Sequence, residues 1–151
     1  MTNLIRLVYV TSGITQCSGF SYGSIPIRGV NLGGWFFLEK WVFPSLLSGL
    51  PEIVVDEYTF SKHLGYTEAA KRLKNYWETW VTEAGISAVK NAGININHLR
   101  ISFGYWAIEN PTGEPWINGS WAYAMKAIGW AKKYSLQVMI DFHGLPGSQV
   151  Q

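Results

Sequence analysis

Short apolar runs alternate with longer helical segments along most of the chain. Three runs have the length and the Gly or Pro flanks of buried strands, and they cover residues 25–35, 96–106 and 137–143. The connections between these runs are too long for hairpins, which favours parallel pairing through helical crossovers. The pattern therefore predicts an α/β fold.

Three helices are predicted in those connections, over about 67–80, 83–93 and 121–134. Thr67, Thr82 and Ser120 have the side chains expected at the N-caps of these helices. Gly93 is expected to end the second helix in the left-handed conformation that glycine adopts at little cost. The apolar stripe of the third helix is expected to consist of Trp121, Met125 and Ile128.

Two parallel architectures compete for this pattern, an open doubly wound sheet and an eight-stranded barrel. A dinucleotide-binding sheet would be favoured by a G-x-G-x-x-G pattern after the first strand. The glycines there are Gly29, Gly33 and Gly34, and their spacing does not fit. The (β/α)8 TIM barrel therefore remains, and in that architecture the functional residues lie at the carboxyl ends of the strands.

Polar side chains share one face of the second and third predicted strands. Alternation places His98, Arg100 and Ser102 on the same side of the second strand, opposite apolar residues that helices would cover. An arginine in the middle of a buried strand without a carboxylate partner would cost several kcal/mol, so a carboxylate must face it. Asp141 and His143 likewise share a face of the third strand, which is expected to be buried on both faces. These polar groups would meet at the mouth of a barrel.

Composition and charge exclude several classes of protein. The 12 basic and 10 acidic residues give a formal net charge of +2 and are spread along the chain, which does not resemble a nucleic-acid-binding surface. A single cysteine cannot form an internal disulfide, and no Cys/His cluster predicts a zinc site or other metal site. No window approaches the roughly 20 apolar residues that a membrane span needs. Eight Trp and eight Tyr imply an aromatic core or a stacking surface.

Four stretches of the chain form a set: IRGVNLGGWFFLEKWVFPSL, VDEYTFSKHLG, HLRISFGYWAIE and VMIDFHGLPGSQ. In their order and spacing they resemble glycoside hydrolase family 5, most closely its fungal exo-β-1,3-glucanases (glucan 1,3-β-glucosidases). The set spans Ile27–Gln149. We therefore expect residues 25–151 to be the N-terminal part of the family's barrel domain, truncated to about three strands and the intervening helices. Residues 1–24 are expected to form a divergent or poorly ordered N-terminal segment.

The resemblance implies a (β/α)8 barrel that cleaves β-glucan from the non-reducing end with retention of configuration. Retention needs two carboxyl groups about 5–5.5 Å apart, one as nucleophile and one as acid/base. In the family these are glutamates after the fourth and seventh strands, so a chain ending after its third strand has neither. The resemblance also implies a glucan or oligosaccharide substrate, no cofactor, and an extracellular or cell-wall location.

The same resemblance assigns roles to four residues. Arg100 matches the arginine that hydrogen-bonds the nucleophilic carboxylate, and His143 matches a histidine of the active-site floor. Glu39 matches a glutamate that binds hydroxyls of the non-reducing sugar. Trp41 stands where close relatives have Tyr, so the ring is kept for stacking and the phenol is lost. Lys40 replaces an expected proline, which alters the loop.

Each of these assignments has a purely structural alternative. Arg100 could form a structural ion pair with Asp141, and His143 could be a hydrogen-bonded core histidine. Glu39 could be a solvated loop acid and Trp41 a core ring. For the whole chain, the alternatives to a hydrolase domain are a non-catalytic carbohydrate-binding fragment or an incomplete gene model, and the oligomeric state is open. We expect the chain alone to be inactive and poorly soluble, because three strands leave two unpaired edges.

Three further polar residues near the strands are assigned no chemistry. His98 lies deeper on the inward face of the second strand and is expected to serve packing. Glu109 and Glu114 lie in a Pro/Gly-containing loop and are expected to be surface charges.

Overall fold

The computed structural model describes residues 19–110 and 112–146. Its elements in chain order are β1 (Gly29–Asn31), α1 (Glu57–Thr79), α2 (Glu83–Lys90), β2 (His98–Gly104), a 3₁₀ turn (Tyr105–Ala107), α3 (Ser120–Lys133) and β3 (Gln137–Gly144). Most of the predicted N-terminal segment and the last five residues of the chain lie outside this description.

The three strands form one parallel sheet in the order β1-β2-β3. In β2 the side chains of Leu99, Ile101 and Phe103 are almost completely buried in the main core, so the face predicted to be covered by helices is covered. Arg100 lies on the opposite face and pairs in register with Asn31 of β1. The predicted α/β fold with parallel strands is therefore confirmed for the described part of the chain.

Helix α1 begins much earlier than the sequence pattern predicted. Asp56 is its N-cap, and a capping box joins the Asp56 carboxylate to the backbone N–H of Thr59 at 2.7 Å while the Thr59 hydroxyl accepts from the Asp56 N–H. The helix is kinked at Gly65, where φ is 73° and ψ is 161°. The prediction of Thr67 as N-cap was wrong, because the periodicity after Gly65 represents only the second half of a kinked helix.

The other two helices agree in part with expectation. The Thr82 hydroxyl caps α2 by accepting from the N–H of Gly85 at 3.2 Å, as predicted. Gly93 has the expected left-handed conformation, with φ of 79°, although the helix already ends at Lys90. The N-cap of α3 is Gly119 rather than Ser120, and no side chain caps that helix.

Helix α3 packs on the sheet through small residues. Its fully buried stripe consists of Ala124, Ala127 and Ala131, and not of the predicted large side chains. Met125 is 50% exposed, while Trp121 and Ile128 are only partly buried at the margin of the core. Within the described residues, no helix is long and apolar enough to cross a membrane.

Strand β3 lies at the edge of the sheet and is more exposed than expected. Ile140 and Phe142 point away from the polar face and are 39% and 51% exposed. Met139, on the other face, is 55% exposed. The prediction that this strand is buried on both faces was therefore wrong for the described residues, which form no further strand beyond β3.

Candidate functional site

Arg100, Asp141 and His143 converge on the face of the sheet opposite the helices. The Arg100 Nη2 donates to Asp141 Oδ2 at 2.7 Å, and His143 Nδ1 lies 2.9 Å from the same oxygen. Arg100 Nη2 and His143 Nδ1 are themselves 3.3 Å apart. The carboxylate therefore holds both side chains, and a proton on Nδ1 directed at Asp141 leaves Nε2 of His143 as a hydrogen-bond acceptor.

The cluster is open enough for a ligand to reach it. The side chains of Arg100, Asp141 and His143 are 36%, 23% and 31% exposed. The ion pair with Asp141, given above as the structural alternative for Arg100, is observed. The catalytic role assigned to Arg100 by resemblance, a hydrogen bond to the nucleophilic carboxylate, stays a prediction.

His143 lies in an irregular part of the sheet. Phe103 pairs with Phe142 in parallel register, but the next residue of β2, Gly104, pairs with Gly144. His143 is therefore an extra residue in β3, a bulge of the kind that redirects a side chain. Its position depends on this bulge as well as on strand alternation.

Glu39 and Trp41 lie in the long loop between β1 and α1. A Cβ atom placed on Gly33, just beyond β1, would be 3.9 Å from Glu39 Oε2, so this half-buried carboxylate lies beside the carboxyl end of the first strand. Trp41 is 62% exposed, so the alternative that it is a core ring was wrong. Within the described residues, no hydrogen bond joins either side chain to Arg100 or His143.

An aromatic cluster of Phe37, Trp106 and Trp116 lies next to the polar cluster. The Phe37 ring meets the His143 ring edge-on, with centroids 4.9 Å apart. Behind this cluster the Trp106 indole N–H donates to Glu57 Oε1 at 3.0 Å. Glu57 is only 2% exposed.

Burial raises the pKa of Glu57 to about 8, helped by the nearby charge of Asp56 and opposed by the hydrogen bond from Trp106. The carboxyl group is therefore mostly protonated at neutral pH. Sequence reasoning missed Glu57, because an acid in the first turn of a helix usually faces solvent and interacts with the helix dipole. Its place in the stretch VDEYTFSKHLG was the only signal available.

The remaining candidates agree with the structural alternatives. His98 is buried, with Nδ1 2.7 Å from Asn97 Oδ1 and its ring edge-on to Phe20. Glu109 and Glu114 are exposed, as predicted. In the part of the chain that the structure describes, no group of His, Cys, Asp and Glu could hold a metal ion.

Replacing Asp141 by Asn should lower the free energy of unfolding at pH 7 by about 1–2 kcal/mol, because one charge-assisted hydrogen bond and the contact with His143 are weakened. The matched control is Glu68→Gln, which removes the charge from an ion pair with Arg72 that also spans 2.7 Å but is 37% and 42% exposed. That control should leave the free energy of unfolding nearly unchanged, because a solvent-exposed ion pair contributes little to stability. Urea unfolding followed by Trp fluorescence measures both, and equal losses would contradict the special role of Asp141.

Comparison with known proteins identifies relatives over most of the chain. The chain is 44% identical over 132 residues to a glucan 1,3-β-glucosidase of Blumeria graminis, covering 86% of this chain and 30% of that protein. It is 44% identical over 135 residues to a glucan 1,3-β-glucosidase of Yarrowia lipolytica, covering 87% and 32%. A probable glucan 1,3-β-glucosidase A of Emericella nidulans is 45% identical over 136 residues, covering 90% and 33%. The chain thus spans about a third of the length of these curated relatives.

Solved structures give a consistent result. A rutinosidase from Aspergillus niger superposes with a TM-score of 0.68 at 29% identity, covering 80% of this chain and 33% of that one. The structure of AoRut superposes with a TM-score of 0.69 at the same identity and coverage. No family model matches the chain. Through these relatives the chain is a homologue of the fungal glucan 1,3-β-glucosidases over most of its length, and its predicted resemblance to that branch of glycoside hydrolase family 5 is confirmed.

Proposed function

We propose that this chain supplies the first three strands of a (β/α)8 barrel that hydrolyses β-1,3-glucan from its non-reducing end with retention of configuration. One observation carries the proposal. In a homologue of glucan 1,3-β-glucosidases, the polar cluster of Arg100, Asp141 and His143 lies on the face of a parallel sheet that a barrel would enclose. The site of such a barrel lies at the carboxyl ends of its strands.

In this proposal the polar cluster binds the sugar and orients the nucleophilic carboxylate, and it transfers no proton. Arg100 is fixed by Asp141 and has further N–H groups that can keep a nucleophilic carboxylate ionised. His143 is held through Nδ1, which leaves Nε2 to accept a hydrogen bond from a sugar hydroxyl. The nucleophile and the acid/base are the glutamates that the family has after its fourth and seventh strands, outside these three strands. We therefore infer that the 151-residue chain by itself is inactive.

Glu39 and Trp41 are proposed to bind the sugar at the end of the glucan chain. A carboxylate can accept hydrogen bonds from two neighbouring hydroxyls, and Glu39 lies at the end of the strand next to Arg100. The exposed Trp41 ring presents an apolar face on which the C–H face of a pyranose can stack. Because a polymeric glucan does not cross membranes, this substrate also favours the extracellular or cell-wall location that the resemblance implies.

Titrating the chain with laminari-oligosaccharides tests the sugar site. We expect a saturable change in Trp fluorescence that Trp41→Ala abolishes. The control is Trp80→Ala, which removes a tryptophan of similar exposure (49%) at the end of α1, packed against Phe43. A titration without saturation in the folded wild-type chain, or an equal loss in both variants, would rule out the proposed binding role of Trp41.

Glucose release from laminarin tests the inference that the chain alone is inactive. Release should not exceed that of buffer, since neither carboxyl group of a retaining mechanism is supplied. Hydrolysis well above buffer by the purified chain would show that its own carboxylates perform the chemistry. Binding without hydrolysis is also what the carbohydrate-binding alternative expects, so the fluorescence titration, and not this assay, decides whether the site exists.

A further inference from the structure

The indole of Trp106 covers the carboxyl ends of β2 and β3. A Cβ atom on Gly104 would lie 2.3 Å from two carbons of this ring, and one on Gly144 would lie 2.9 Å from it and 2.6 Å from the Phe37 ring. Distances below 3 Å are not tolerated between such atoms. Glycine is therefore required at both strand ends because the aromatic rings occupy the space that side chains would need.

The bulge at His143 occurs at the same place. Gly104 and Gly144 are the paired residues that follow the change of register, and both lie directly under the Trp106 ring. Phe37 fills the space beside the bulge and contacts the imidazole edge-on, with the two rings at 84°. The indole and Phe37 thus form the surface against which the extra residue of β3 is packed.

Trp106 is itself held from two sides. Trp116 stacks on its face at 3.8 Å with planes 5° apart, which restricts tilting of the indole. The Glu57 carboxyl accepts its N–H at 3.0 Å in a fully buried setting, which restricts rotation within the ring plane. Without this acceptor the buried indole N–H would have no hydrogen-bond partner, which costs free energy. The indole would then lower that cost by moving to a position where its N–H finds another acceptor.

We propose that Glu57 and Trp106 are positioning residues for His143. The buried carboxyl fixes the indole, the indole fixes the bulge between Gly104 and Gly144, and the bulge directs the imidazole to Asp141. The proposal deepens the proposed function and rests on it for the statement that His143 contacts a sugar. Neither Glu57 nor Trp106 needs to contact the sugar.

The imidazole nitrogen shifts of His143 measure this role directly, since long-range ¹H–¹⁵N correlation spectra separate the two neutral tautomers. In the wild-type chain we expect one tautomer with the proton on Nδ1, because Asp141 accepts from it. Trp106→Phe should yield a mixture of tautomers and about a tenfold weaker affinity for laminari-oligosaccharides. Loss of global stability alone would not change the tautomer of the folded protein.

Trp35→Phe is the matched control. Trp35 is 1% exposed like Trp106, and its indole N–H also makes a buried hydrogen bond, to the Trp77 carbonyl at 2.8 Å. It belongs to the main core rather than to the aromatic cluster beside His143. This variant should lose stability and keep the single His143 tautomer.

The Glu57 variants supply the second test, which decides the matter should Trp106→Phe fail to fold. Glu57→Gln keeps a carbonyl oxygen to accept the Trp106 N–H and should retain the wild-type His143 signals. Glu57→Ala removes the acceptor and should give the mixed signals.

Three results would overturn the positioning role: an unchanged tautomer in Trp106→Phe, equal perturbation by Trp35→Phe, or no difference between the two Glu57 variants. Failure of the proposed function is a separate outcome. In that case the wild-type chain binds no sugar while the tautomer differences remain.

Discussion

The free energy of unfolding should fall by up to about 5 kcal/mol as the pH rises from about 4.5 to about 8, through the buried carboxyl of Glu57. Burial raises its pKa from 4.5 to about 8 in the folded chain. Between these values the folded state keeps a proton that the unfolded state has released, so stability decreases with pH. The stability is therefore highest below pH 4.5, and the part that depends on Glu57 is lost as the pH rises through 8. Within this window each pH unit lowers the free energy of unfolding by about 1.4 kcal/mol.

Urea unfolding at half-unit intervals between pH 4.5 and 9 measures the slope. Glu57→Gln cannot ionise and should flatten the profile across this window. Glu83→Gln is the control, because pairing with Lys133 lowers the pKa of Glu83 and places its contribution below the window. A Glu57→Gln profile as steep as that of the wild type would show that another group controls the pH dependence.

Replacing Gly34 by Ala should lower the free energy of unfolding by about 3–4 kcal/mol, combining backbone strain with overpacking. Gly34 has φ of 67°, and an added Cβ would lie 1.8 Å from Phe43 Cε2. The Gly34 carbonyl also accepts the Tyr76 hydroxyl at 3.0 Å, so a shift of this backbone strains a buried hydrogen bond. The loop that begins here carries Glu39 and Trp41, and we expect sugar binding to weaken as well.

Gly93→Ala isolates the backbone part of this effect. Gly93 has a similar φ of 79°, and no atom lies within 4 Å of the added Cβ. That variant should lose only about 1–2 kcal/mol. Thermal and urea unfolding of the two variants side by side provide the comparison, and losses of equal size would mean that the Phe43 contact relaxes without cost.

The face of β2 could be predicted from alternation alone. A carboxylate does lie beside Arg100, in Asp141, although the Arg100 side chain is 36% exposed and not buried as the prediction assumed. The face of β2 was predictable because alternation depends only on the local geometry of one strand. The Thr82 cap was predictable for the same reason, since a cap involves only residues adjacent in sequence.

Other features depended on neighbours that the sequence does not reveal. A strand is buried on both faces only when other elements pack against it. Alternation within β3 does not reveal whether such neighbours exist, and Phe142 is exposed in the structure. The helical turns before Gly65 were not predicted, because the kink at Gly65 interrupts the helix and only the part after it was recognised in the sequence. Glu57 was missed because the same first-turn position is usually solvated, and only the packing of Trp106 over it makes the carboxyl a buried group.

The bulge at His143 has a consequence for how the site tolerates changes in chain length. Deleting one residue before Gly144 would let β2 and β3 pair without interruption. With either Phe142 or His143 deleted, Asp141 would keep its pairing with Ser102, but no imidazole would remain on the polar face beside it. This strand end should therefore accept conservative substitutions far more readily than insertions or deletions of a single residue.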